Sequence, residues 1–161
     1  SFISIFASLL VIGILASIFF RRILWGVLAI VPLSAAVIIN FGFMGFFGIE
    51  LSHVTAILSS IIIGVGVDFA IHYISQYRRL SRTMSSKIVS KEVVEDVGYP
   101  IVLDAASNMG FGALIFSAFV PIQYIGGLMV FAMLSTSLGT LTILSATTEL
   151  LKKRLIRSNK N

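Results

Sequence analysis

The sequence has 161 residues, of which 57% are hydrophobic and only 12% are charged. Soluble domains average about 45–50% apolar and about 25% charged residues, so this composition excludes an ordinary soluble domain and predicts an integral membrane protein. The chain has no cysteine, which excludes disulfides and thiolate metal sites, and its net charge of +5 is expected from basic loops beside a membrane rather than from nucleic-acid binding.

Five apolar segments follow one another along the chain. They cover residues 2–20, 23–44, 53–77, 99–120 and 123–150. About 20 helical residues at 1.5 Å each cross the roughly 30 Å of hydrocarbon in a bilayer. The pattern predicts an all-α, polytopic transmembrane helix bundle with five spans. The first segment lacks the basic start of a signal peptide, so we expect a transmembrane helix within a piece of a longer protein.

The basic residues predict the orientation of these spans. All 12 Lys and Arg residues follow the first, third or fifth segment, whereas the loops near 45–52 and 120–123 have none. Because basic residues collect in cytoplasmic loops, the N-terminus is predicted outside and the C-terminus in the cytoplasm. The chain then divides into a five-helix transmembrane domain, 1–151, and a basic cytoplasmic tail, 152–161, as a multi-pass protein of the inner or plasma membrane.

The loop at 80–98 is the longest connection. Its apolar residues recur at spacings of four or five: Met84, Ile88, Val93 and Val97. This spacing predicts a short amphipathic helix near 84–97 that lies on the cytoplasmic interface, with a solvated linker as the alternative. Gly98 and Pro100 then mark the start of the fourth span, because proline is tolerated in the first turn of a helix.

An aspartate lies near the middle of the third segment. Asp68 is ten residues before Arg78, which corresponds to about 15 Å, or half the hydrocarbon thickness. Insertion of an Asp at the centre of a membrane helix costs roughly 2.5–3.5 kcal/mol. The apolar residues of the segment favour insertion by very roughly 3–7 kcal/mol. The segment can therefore insert, but we expect the carboxylate to face protein or water rather than lipid.

Small and polar residues accompany this aspartate at helical spacing. A ridge with a spacing of four contains Ser60, Gly64, Asp68, His72 and Gln76. Such a ridge lets a neighbouring helix approach closely, and we expect Gly66 of the same segment and Ser107 and Asn108 of the fourth segment to pack around the acid. For the small residues, a packing stripe without chemistry is the alternative interpretation.

The predicted chemistry is proton transfer. The five segments contain no Lys or Arg, so Asp68 is expected to take up and release a proton, as intramembrane acids in transporters do. His72 is either a second member of this proton relay or an interhelical hydrogen-bond partner. Asp104 is either a hydrated structural residue or the mouth of a proton path. Because no nucleophile–base pair or metal-ligand pattern occurs, we expect no catalytic residues, no metal site, no cofactor and no enzymatic activity.

The run GVGVDFAIHYISQYRR closely resembles a helix of the resistance-nodulation-division (RND) superfamily. The similarity is greatest to the branch that contains the mycobacterial-membrane-protein-large (MMPL) exporters, the hopanoid exporters and the sterol-sensing-like proteins. It rests on Gly64-x-x-x-Asp68 followed by Ile71 and His72. Further along the chain, the similar positions are Gly110, Phe111, Ser117, Phe119 and Gly126. Asp104 departs from the family, which more often has Asn or Thr in that region.

This resemblance implies that the chain is the five-helix C-terminal part of one transmembrane half. The proton-carrying acid of the family corresponds to Asp68, and the implied partners are the other half, the extracytoplasmic domains, the lipid bilayer and, in some assemblies, further copies of the protein. The implied function is proton-motive-force-driven export of hydrophobic or lipid-like substrates. The alternatives are a sterol-sensing-like lipid sensor or scaffold that does not pump, and an accessory protein of a Sec-type translocase.

Overall fold

The computed structural model describes residues 2–50, 53–84 and 88–160, and these residues are helical apart from short turns. The helices are α1 (Phe2–Phe19), α2 (Ile23–Phe46), α3 (His53–Thr83), α4 (Val89–Asn108), α5 (Val120–Gly139) and α6 (Ser145–Lys160). A 3₁₀ helix, Met109–Phe116, follows α4, and a π-helical turn, Thr140–Leu144, joins α5 to α6. The described residues contain no strand, which confirms the all-α prediction.

Three stretches of the described residues are long and apolar enough to cross a membrane. They are Ile23–Phe46, Val89–Phe116 and Val120–Leu155, and Ile5–Phe19 forms a shorter apolar helix. The chain is thus a helical membrane protein, while the number of spans and their orientation stay predictions.

The prediction of a separate interfacial helix near 84–97 is wrong. The helix α4 begins at Val89 and continues through Pro100 to Asn108 without interruption. Val89 and Val93 are fully buried against the bundle. The apolar side of this segment therefore packs against other helices and does not lie on the membrane interface. Ser90 Oγ also donates a hydrogen bond of 2.9 Å to Glu149 Oε2 of α6. The fourth helix therefore starts about three turns before Pro100, near which the sequence predicts its start.

A tight turn connects the 3₁₀ helix to α5. The 3₁₀ helix ends at Phe116, and the Oγ of the next residue, Ser117, accepts a hydrogen bond of 3.2 Å from the Phe119 backbone N–H. The next helix starts with a proline in its first turn, a position where the missing N–H costs nothing. At Gly126 a Cβ atom would lie 2.8 Å from the Ile115 backbone N. This glycine is therefore required for the close approach of α5 to the 3₁₀ helix.

Two clusters of buried side chains form the core. The first cluster comprises Ala16, Phe20, Trp25, Leu28, Ala29, Ala70, Tyr73, Ile74, Tyr77, Leu80, Val89, Val93, Leu144 and Leu155. The second cluster comprises Met44, Ile62, Phe69, Ile101, Ala105, Leu128, Met129, Ala132 and Met133. The helix α3 contributes to both clusters and contacts α1, α2, α4, α5 and α6. It is the central helix of the bundle.

A glycine allows α3 to pack against two of its neighbours. A Cβ atom at Gly66 would lie 2.6 Å from Leu33 Cδ2 of α2 and 2.7 Å from Thr136 Cγ2 of α5. Both of those residues are themselves buried, so neither can move away easily. At Gly64, only two residues earlier, a Cβ atom would meet no atom within 4 Å.

We therefore expect Gly66→Val and Gly64→Val to differ in stability. Overpacking a filled core position costs about 1–3 kcal/mol, so Gly66→Val should unfold at a clearly lower temperature than the parent protein. Gly64→Val is the matched control and should unfold within a degree or two of the parent protein. Thermal unfolding of the chain in detergent, followed by circular dichroism, measures both. Equal destabilisation by the two valines would contradict the packing described here.

Candidate functional site

The central helix α3 has an apolar side and a polar side. Its apolar side is buried in the bundle and includes Ile62, Phe69 and Tyr73. Its outer side exposes four members of the predicted ridge: Ser60, Gly64, Asp68 and His72. Because residues four apart lie on the same side of a helix, the polar stripe lies on the surface of this bundle and not in its core.

An open groove between α3 and α4 contains the predicted proton carrier. The groove has a volume of about 430 Å³. It is lined by Gly64, Val65, Val67, Asp68, Asp104 and Asn108. The absence of a side chain at Gly64 leaves the space beside Asp68 free, since nothing lies within 4 Å of the position that a Cβ would take. Another helix could therefore approach the carboxylate closely at this point.

Asp68 and His72 form a pair across one helical turn. The distance from His72 Nε2 to Asp68 Oδ1 is 3.7 Å, which is longer than a hydrogen bond. The His72 side chain is 67% exposed and the Asp68 side chain is 65% exposed. The helices of this chain therefore do not bury the carboxylate themselves. The protein or water that is expected around Asp68 has to come from outside these helices.

A second acid opens onto the same groove. Asn108 Nδ2 donates hydrogen bonds to the backbone oxygen of Asp104, at 3.0 Å, and to its Oδ2, at 3.4 Å. Asp104 and Asn108 are thus one turn apart on α4, as Asp68 and His72 are on α3. The sequence left the role of Asp104 open, because spacing within one helix does not show which side of it faces α3.

The other predicted residues are distributed over both sides of α3 and along α4. Gly66 lies on the opposite side of α3 from the groove, where it packs against α2 and α5. Ser107 is exposed, and its Oγ donates a hydrogen bond of 3.0 Å to the Leu103 backbone oxygen. Gln76 continues the ridge, and its Nε2 donates a hydrogen bond of 2.6 Å to Asp96 Oδ2. The structure thus brings Gly64, Asp68 and Asn108 to one groove, with His72 one turn away.

Comparison with known proteins identifies the family. The profile described as "Sterol-sensing domain of SREBP cleavage-activation" matches residues 18–153, which is most of the chain. The chain belongs to the sterol-sensing domain family. The helices that form the groove, α3 and α4, both lie within the matched region.

A relative of this sterol-sensing domain occurs in an archaeon. The chain is 29% identical over 135 residues to the membrane protein MJ1562 of Methanocaldococcus jannaschii. The alignment covers 83% of this chain but 35% of the relative, so the chain spans about a third of that protein's length. No solved structure matches the chain. These comparisons confirm the sterol-sensing-like part of the predicted resemblance and the assignment to membrane proteins.

The groove is testable by cross-linking, because the natural chain has no cysteine. Val67→Cys and Asn108→Cys introduce thiols on the two sides of the groove and leave both aspartates in place. We expect a short bifunctional maleimide to join this pair within one chain. Pairing Val67→Cys with Val27→Cys is the control, since Val27 lines a different groove, between α1 and α2. Proteolysis between the two sites, followed by electrophoresis, detects the link, and equal linking of both pairs would contradict the geometry.

Proposed function

We propose that this sterol-sensing domain is one transmembrane half of a proton-motive-force-driven exporter of the RND and MMPL type. The exported substrate would be hydrophobic or lipid-like. Asp68 would carry the proton, with His72 beside it, and the other half of the transporter would cover the groove. The observation that carries this proposal is the exposed polar stripe on the central helix of the bundle.

The energetics of the bilayer explain why this stripe needs a partner. A carboxylate near the middle of a membrane costs roughly 2.5–3.5 kcal/mol on insertion scales. A domain without a further role for Asp68 would be expected to place it inside the bundle or to replace it. The outer side of α3 instead combines a carboxylate, an imidazole and a glycine that leaves space beside them. These features favour close contact with other helices, and we propose that those helices belong to the matching half.

We propose that proton binding is coupled to transport at this groove. When Asp68 is ionised, its charge favours contact with polar groups on the opposite half, and when it is protonated, that preference disappears. Asp104 lines the same groove from α4. Proton binding and release would then shift the two halves between two arrangements. The energy of the proton gradient would drive this cycle.

A second candidate function is a lipid sensor or scaffold that does not pump. The family assignment supports it as well, since the matched profile describes a sterol-sensing domain. A groove of about 490 Å³ between α1 and α2, mostly apolar but also lined by Arg21 and Arg22, has room for part of a lipid. The two functions differ in one measurable property, because only a pump moves substrate in response to a proton gradient.

Substitution of the proton carrier separates these functions. In the full-length protein, Asp68→Asn keeps the size and polarity of the side chain but cannot bind or release a proton. We expect it to insert and fold normally and to reduce gradient-driven export to background. Export is measured as efflux of a fluorescent lipid analogue from vesicles that carry an imposed proton gradient.

The matched control is Asp96→Asn, which makes the same chemical change elsewhere on the bundle. The amide oxygen of the introduced side chain can still accept the hydrogen bond from Gln76, so export should remain within about twofold of the parent protein. Normal export by Asp68→Asn at normal expression would rule out the proton-carrier role. Lipid binding by the parent protein without any gradient-dependent flux would favour the sensor.

A further inference from the structure

A cavity lined by arginines lies between the end of α1 and the second half of α3. Its volume is about 450 Å³, within the roughly 300–1,000 Å³ range of ligand pockets. Three arginines line it, Arg78, Arg79 and Arg82, together with the hydroxyl-bearing Ser75 and Thr83. The described residues that line this cavity include no acidic one, so its chemistry favours an anion.

The arginines of this cavity are held close together by the fold. The Arg78 guanidinium Cζ lies 5.3 Å from the ring centre of Phe20 and 5.7 Å from that of Trp25. These are cation–π distances, and both rings are buried in the first cluster. Partial burial lowers the pKa of Arg78, and the nearby charges of Arg82 and Arg22 lower it further. The positive charges of Arg78, Arg82 and Arg22 therefore lie close to one another at the end of the bundle.

Three ion pairs of the described residues lie elsewhere on the bundle. They join Asp68 to His72, Lys91 to Glu95, and Glu149 to Lys152. Neither Arg79 nor Arg82 belongs to any of these pairs. Guanidinium groups bind phosphate oxygens through paired hydrogen bonds, so a phosphate would both match their geometry and compensate their charge.

The surface beside the cavity is strongly apolar. Phe19 lines the cavity and is 68% exposed, and Ile18 and Ile23 are exposed on either side of the turn between α1 and α2. A soluble anion would gain nothing from these side chains. A phospholipid would contact them with its acyl chains while its headgroup reached the arginines.

We propose that this cavity binds the phosphate of an anionic phospholipid through Arg78, Arg79 and Arg82. The lipid would occupy the membrane leaflet at the arginine-bearing end of the bundle, with its acyl chains against Phe19 and the exposed side of α1. This site is separate from the groove that holds Asp68 and does not depend on the exporter proposal. Its occupant would fix the position of α3 relative to α1 at that end.

Lipid binding to the full-length protein tests this site. The protein is delipidated in detergent and mixed with phosphatidylglycerol or phosphatidylcholine, and bound lipid is counted by native mass spectrometry. We expect preferential binding of phosphatidylglycerol. Arg79→Gln combined with Arg82→Gln should weaken that binding about tenfold or more. Arg79→Lys combined with Arg82→Lys keeps the charge and should retain part of the binding.

A second pair of basic residues provides the control for net charge. Lys153 and Arg154 are exposed on α6, and Lys153→Gln combined with Arg154→Gln removes the same charge without touching the cavity. Equal loss of phosphatidylglycerol binding in the two glutamine variants, or equal binding of the two lipids by the parent protein, would overturn the proposal. If the double glutamine variant does not fold, Arg82→Gln alone replaces it, since that residue is exposed near the end of α3.

A soluble phosphate is distinguished in a parallel measurement. Inorganic phosphate is titrated into the delipidated protein in a calorimeter and then added as a competitor to the lipid-bound protein. We expect no measurable binding at millimolar concentration and no displacement of phosphatidylglycerol. Tight binding of inorganic phosphate that displaces the lipid would assign the cavity to a soluble anion and would contradict the lipid site.

Discussion

A carboxylate halfway along a membrane helix must be surrounded by polar groups, water or protein, because hydrocarbon offers it neither hydrogen bonds nor a counter-charge. In the proposed function α3 spans the membrane and this carboxylate is Asp68, which lies on the outer side of the central helix. The apolar residues of the same helix are buried against its neighbours. The helix thus resembles an amphipathic helix of a soluble protein. Its polar side requires contact with water or with further protein, which the described helices do not supply.

The middle and the C-terminal end of α3 carry different chemistry. Near its middle, the groove presents two acids and an amide beside a glycine. Toward its end, arginines converge on a cavity between apolar side chains. Buried residues of the same helix, including Tyr73 and Tyr77, belong to the first cluster and pack it against its neighbours.

Much of this architecture could be predicted from the sequence, and the exceptions have identifiable causes. Apolar segments long enough to span a bilayer located the first three helices, because hydrophobic length and helix formation are coupled in membranes. Residues near 84–97 were misassigned, since an amphipathic pattern is the same for a helix on a membrane surface and for one packed on a protein. In the site, a spacing of four correctly grouped Gly64 with Asp68. The position of Asp104 in the groove depends on how α4 packs against α3. No local sequence pattern encodes that packing.

The most direct test is a structure of the full-length protein in a lipid nanodisc by electron cryo-microscopy. The account predicts that protein helices cover the groove and that polar side chains from them lie within hydrogen-bond distance of Asp68. Lipid acyl chains packed directly against the Asp68 carboxylate, or bulk water around it beyond either membrane surface, would contradict the account.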